Sequence, residues 1–199
     1  MRLWAIACAL FLCVAAILPA SAQSSSRGNR DHIVFPPDRD EIEYRKTDEI
    51  PRQLRAVIGR ECNYAFWLKD IPIKIVRPAP KGRAIAMVPC GNIIPRSMAF
   101  TDLTSHTPRS MAFAVKVAPN GFGVSDLPGY LEWDSGTQTM TATAGTDMIG
   151  STEWRYSYRY SHIEGHSAFV LTRIEHRKTG HPLSNWLPYW EASVWAEPR

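Results

Sequence analysis

Between Glu153 and Tyr160 the chain alternates with a period of two: Trp154, Tyr156, Tyr158 and Tyr160 fall on one side, and Glu153, Arg155, Ser157 and Arg159 on the other. Successive side chains of a strand point to opposite faces, whereas a helix would spread these residues round its circumference. The stretch therefore predicts a half-buried β-strand, and a strand with one apolar face requires a sheet and a layer to cover it. Soluble proteins seldom leave four large aromatics in a row in water, so the stripe reads as core and Arg155 and Arg159 as the exposed face. On the alternative reading Tyr156 and Tyr158 join the two arginines as a binding surface, because their rings stack on sugars or partner side chains while Arg adds hydrogen bonds. Arg155, Arg159, Tyr156 and Tyr158 are accordingly the candidate binding residues.

The neighbouring segments repeat the strand signal. Tyr130 to Trp133 and Thr137 to Thr143 flank Asp134-Ser135-Gly136, a short glycine-containing connection that predicts a hairpin. Ala168 to His176 reads as a further strand, as do Ile71 to Val76 and Arg83 to Pro89, and the aromatic run Asn63 to Leu68 reads as extended. Pro119 to Gly123 reads as a turn. The hexapeptide Pro-Arg-Ser-Met-Ala-Phe occurs twice, at Pro95–Phe100 and Pro108–Phe113, and reads as two neighbouring strands joined by a loop. One helix is expected, Asp48 to Gly59, with Pro51 in its first turn and Ile50, Leu54, Val57 and Ile58 on one face. About eight strands and one short N-terminal helix predict a mainly β fold, an antiparallel sandwich or partly open barrel.

Arg2, the apolar run Leu3 to Leu18 and Ala20-Ser21-Ala22 have the layout of a secretory signal peptide, residues 1–22, too short for a comfortable membrane span. Residues 23–46 are polar and read as a flexible leader, and residues 47–199 as a single β-rich domain. The expected location is periplasmic or secreted, with no stable membrane span after cleavage. Beyond residue 22 only Cys62 and Cys90 remain, and in an oxidising compartment such a pair predicts one disulfide, worth about 3–4 kcal/mol on the loop-entropy model. The formal charge of +4 falls to +3 without Arg2 and is spread along the chain, which is no nucleic-acid signature.

The chemistry-bearing residues form no familiar constellation. His162 and His166 flank a turn, but no carboxylate stands at a metal-ligand spacing and no His-Glu-x-x-His occurs, so neither a metal nor a cofactor is expected. Gly123-Val124-Ser125-Asp126 lacks the second glycine of a nucleophile elbow, and Gly121-Phe122-Gly123 lacks the context of a dinucleotide fingerprint. Glu132, Asp134, Asp147, Glu153, Glu164 and Glu175 lie in the β-rich half, and a pair of them at the right separation would serve glycoside hydrolysis. No catalytic residue is singled out.

Leu131-Glu132-Trp133-Asp134, Gly145-Thr146-Asp147, Glu153 to Tyr160, Phe169 to Arg173 and Trp186-Leu187-Pro188-Tyr189-Trp190 together resemble the C-terminal part of an exported proteobacterial family, domain of unknown function 1176. The resemblance covers roughly the last 70 residues. It implies an envelope setting and carries over no functional residue; this chain has Met148 and Ile149 where that family carries a loop cysteine. The expected function is an exported binding or interaction module for an envelope protein or polysaccharide, with a small glycan hydrolase using a carboxylate pair as the alternative.

Overall fold

The computed structural model describes residues 33–79, 83–91, 94–103, 107–117, 121–145, 152–163, 166–179 and 185–192. Among them are twelve strands and two short helices, arranged as three antiparallel sheets with no closed barrel. The fold is mainly β and sandwich-like, as the alternating segments predict. Most of the strands beyond the expected eight are short pieces that tertiary pairing creates.

The first sheet has the order β1 (Glu41–Tyr44), β2 (Ile73–Val76), β3 (Ile85–Cys90), β4 (Arg96–Thr101), β5 (Arg109–Ser110). It is covered on both faces. Ile73, Ile75, Ala86, Val88, Met98 and Phe100 point to the helices, where Leu54, Val57 and Ile58 of α1 (Arg52–Glu61) and Tyr64 of α2 (Tyr64–Trp67) meet them. Val76, Ile85, Met87 and Ala99 point the other way, into a second core shared with the second sheet. The second sheet has the order β12 (Leu187–Glu191), β11 (His166–Lys178), β10 (Thr152–Ile163), β9 (Thr139–Gly145), β8 (Tyr130–Asp134). A hairpin of β6 (Phe113–Val117) and β7 (Gly121–Ser125) packs on the same inner face, where Phe113 lies 5.1 Å from Tyr158.

The sheets meet at a corner. Ser97 donates its backbone N–H to the Gly129 carbonyl at 2.8 Å, and its hydroxyl accepts from the Leu131 N–H at 3.2 Å. Gly129 has φ +144°, and a Cβ there would meet the Thr143 carbonyl at 2.5 Å, so only glycine suits the corner.

Several expectations are corrected. Glu41–Tyr44, inside the expected flexible leader, is the edge strand β1, and Ile33 and Phe35 pack against the helix-side core. The helix begins at Arg52 rather than Asp48, after Pro51, and runs past Gly59 to Glu61 before the chain turns extended at Cys62. Asn63 to Leu68 is not a strand: Tyr64 and Leu68, four apart, are both buried, a spacing that a helical turn satisfies and a strand would also place on one face. What decides between them is anchorage, since Cys62 is joined to Cys90 with Cα atoms 5.2 Å apart and the Trp67 indole donates to the Gly91 carbonyl at 2.7 Å. Gly121 to Gly123, expected in a turn, opens strand β7 instead. A Cβ on Gly123 would meet a Val117 methyl at 2.9 Å, so the bare glycine lets that valine lie across the strand.

The expected disulfide is therefore present. No helix among the described residues is long and apolar enough to cross a membrane. The signal-like segment, Asp147, Glu164 and His181 lie outside the described residues.

Candidate functional site

Strand β10 is the centre of the second sheet, and its alternation is the one the sequence predicts. Tyr156 and Tyr158 are buried, at 5% and 0% exposure, and half-buried Trp154 and Tyr160 pack against the same core. The Tyr158 hydroxyl donates to the Ala114 carbonyl of β6 at 2.8 Å. Burial pushes the Tyr158 hydroxyl far above the ordinary tyrosine value, with a smaller contribution from Tyr156, and burial raises Tyr156 too. The structure thus corrects the alternative reading of these two residues: their rings are core, closed off from a surface ligand.

The other half of β10 points outward. Arg155 stands opposite Thr143 of β9 and Glu175 of β11; Ser157 stands opposite Thr141 and Arg173; Arg159 stands opposite Thr139 and Val170. The result is a polar face with a row of threonines beside a row of arginines. None of these side chains belongs to either core.

A bulge in β11 makes this face possible. Arg173, Glu175 and Arg177 point outward, and continued alternation would send Leu171 and Phe169 outward as well. The register shift opposite Ser157/Tyr158 inserts Thr172 as an extra residue, so Leu171 and Phe169 turn into the core while Arg173 stays outside. The Thr172 hydroxyl caps the irregularity by donating to the Ser157 carbonyl at 3.0 Å.

Glu175 is the pivot of the electrostatics. It is only 4% exposed although it lies on the outer face, and two arginines bind it. Arg155 holds one of its oxygens with both Nε at 2.8 Å and Nη2 at 2.7 Å, and Arg173 reaches the other at 3.2 Å. Trp186, just before β12, packs on the arginines: the guanidinium groups of Arg155 and Arg177 each lie 4.5 Å from its ring centre. Arg177 in turn bonds Glu153. Arg155 is thereby committed to holding Glu175 and Trp186, whereas Arg159 is exposed.

Three of the carboxylates offered for hydrolysis are engaged in other contacts among the described residues. Glu153 and Glu175 are each bound to arginine, and hydrogen bonds from Thr137 and Gly136 hold Asp134 below the usual carboxylate range. No cluster of three or more metal-ligating side chains occurs among the described residues. Alternation alone placed Arg155 and Arg159 outward, but it missed Glu175, Arg173 and Trp186, whose relation to Arg155 depends on register across three strands.

The fold and this face define a mainly β, sandwich-like protein with one open polar sheet surface. Compared with protein-family models, curated proteins and solved structures, the chain matches none.

Proposed function

We propose that the chain is an exported protein of the bacterial envelope, periplasmic or secreted, that acts as an interaction module and holds a protein or envelope polymer on the outer face of its second sheet, around Arg159. The observation that carries this reading is the contrast on β10: its aromatic half is used up as core, while its arginine half stands on an open field of threonine and serine hydroxyls. Flat sheet faces with fixed guanidinium groups and hydroxyls suit extended or broad partners better than small molecules, which favour concave pockets. Export is supported by the signal-like N-terminus, by the resemblance to an exported family and by a disulfide, which suits an oxidising compartment.

The test is a pull-down from periplasmic extract with wild type, Arg159→Ala and the Arg155→Ala/Arg159→Ala pair. A partner recovered by wild type and lost with either variant is the expected result. Since Arg155 also holds Glu175, the Arg159 single variant separates loss of binding from loss of fold. Identical recovery with all three proteins would overturn the assignment of this face.

A further inference from the structure

We propose that strand β7 is a dimerisation edge: it pairs with β7 of a second copy of this chain, antiparallel about a two-fold axis at Gly123. A strand at the end of a sheet leaves a row of backbone N–H and C=O groups unbonded, and proteins guard such edges with charge, proline, short length or a covering element. The two large sheets have these guards. β1 carries Glu41 and Glu43, β8 carries Glu132 and Asp134, β12 carries Pro188 and Glu191, and β5 is two residues long with Arg109 as one of them. β7, from Gly121 to Ser125, contains neither charge nor proline, and no described strand pairs with its outer edge.

The groups open on that edge follow from β6. The Ala114 carbonyl accepts from the Tyr158 hydroxyl at 2.8 Å, and the Lys116 N–H donates to the Tyr156 hydroxyl. Ala114 and Lys116 thus turn their backbone groups away from β7, and the ladder of the hairpin is made by Phe113, Val115 and Val117 with Ser125, Gly123 and Gly121. Phe122 and Val124, the residues in between, therefore aim their N–H and C=O outward. The tyrosines occupy the far edge of β6, so the hairpin offers one edge only.

That edge fits its own copy. About a two-fold axis at Gly123, Phe122 falls opposite Val124 of the second copy, and Val124 opposite its Phe122. These are the two residues with outward backbone groups, so each gives one hydrogen bond and receives one. Their side chains lie on one face of β7, are 54% and 77% exposed, and become cross-strand apolar pairs. Gly123 meets its copy with no side chain on either strand. Charge complementarity favours the same partner, because a two-fold contact sets a strand against itself. β1 or β8 would crowd carboxylates together, whereas β7 brings no like charges into opposition. Since pairing uses up the open edge, the assembly closes at two chains.

The test is sedimentation equilibrium of the purified protein from about 5 µM to about 1 mM, with half-dimerisation expected on the order of 0.1 mM because so short a contact lies below the usual interface size. Val124→Pro removes an N–H that β6 does not use, and should weaken dimerisation about tenfold or more with an unchanged urea midpoint. Val124→Lys keeps that N–H but places a charge on the edge, and should weaken it likewise; it decides the matter if the proline lowers the midpoint. Amide hydrogen exchange by NMR locates the contact: Phe122 and Val124 should slow as concentration rises, while Gly123, already bonded to β6, stays protected throughout. A wild type that remains monomeric to about 1 mM would overturn the proposal. So would dimerisation unaltered by Val124→Lys, or a dimer whose Phe122 and Val124 amides exchange as in the monomer. None of these outcomes depends on the Arg159 pull-down, since the hairpin packs on the opposite side of the second sheet.

Discussion

The two large sheets are built from similar strands and live in different surroundings. In the first, all six residues of β3 are buried, because helices cover one face and the second sheet covers the other. In the second, β9 alternates half-buried threonines with buried Met140 and Ala142, because only one face is covered. A strand enclosed on both sides has no place for charge, since an ionised group taken out of water needs partners that a hydrocarbon layer does not supply. Ile85 to Cys90 accordingly contains no charged residue, whereas β10 and β11 carry six on their outer face. The charged residues of β10 and β11 thereby collect on the open side of the second sheet.

The largest expected effect breaks the first sheet. Phe100 is fully buried against the helices, and Phe100→Ala should cost about 3–5 kcal/mol by urea denaturation. A loss below about 1 kcal/mol would mean that the helix-side core is not close-packed there. On the open face the effect should be smaller. Arg155→Ala removes a guanidinium that is 33% exposed from a carboxylate that is 5% exposed, leaving Arg173 in place, so about 1–2 kcal/mol is expected. A double-mutant cycle with Glu175→Gln checks it: strictly additive effects would show that the two side chains do not stabilise one another.

The smallest effect probes the inner face of the second sheet. Tyr158→Phe removes the hydrogen bond to Ala114 and should cost about 1 kcal/mol near neutral pH. Burial raises the folded-state pKa of Tyr156 and Tyr158, so above roughly pH 10 the unfolded chain loses phenolic protons that the folded protein keeps. Stability that is complete below that pH should fall as pH rises beyond it. Comparing urea midpoints at pH 8.5 and 10.5 measures the slope; Tyr158→Phe should flatten it, and an unaltered slope would mean that this hydroxyl is not shielded.

What could be read from the chain depended on whether the deciding interactions were local. The alternation at Trp154 to Tyr160 was legible because a period of two is a property of the strand backbone itself. Cys62 and Cys90 were legible because only two cysteines remain after the signal-like segment. The turn of helix at Tyr64 to Trp67 was not, since it depends on a disulfide and an indole bond to residues 24 or more positions away. The outward arginines of the candidate face could be named in advance. The burial of Glu175 and the packing of Trp186 could not, because a bulge at Thr172 and the pairing of β12 set them.

The repeated hexapeptide separates the two kinds of information most clearly. Both copies contain extended segments, as their residues predict, and β4 and β5 pair with Phe100 opposite Ser110. The copies then diverge. In the first, Ser97 to Phe100 are all buried, and Phe100 faces the helices; in the second, Ser110 and Ala112 are exposed, the strand breaks after Ser110, and Phe113 enters the core between the sheets. By itself the sequence determined that each copy contains an extended segment in which neighbouring side chains oppose one another. Which side became interior was decided by tertiary structure alone, because a period of two is blind to direction and only the layers packed on each face give one side water and the other a core.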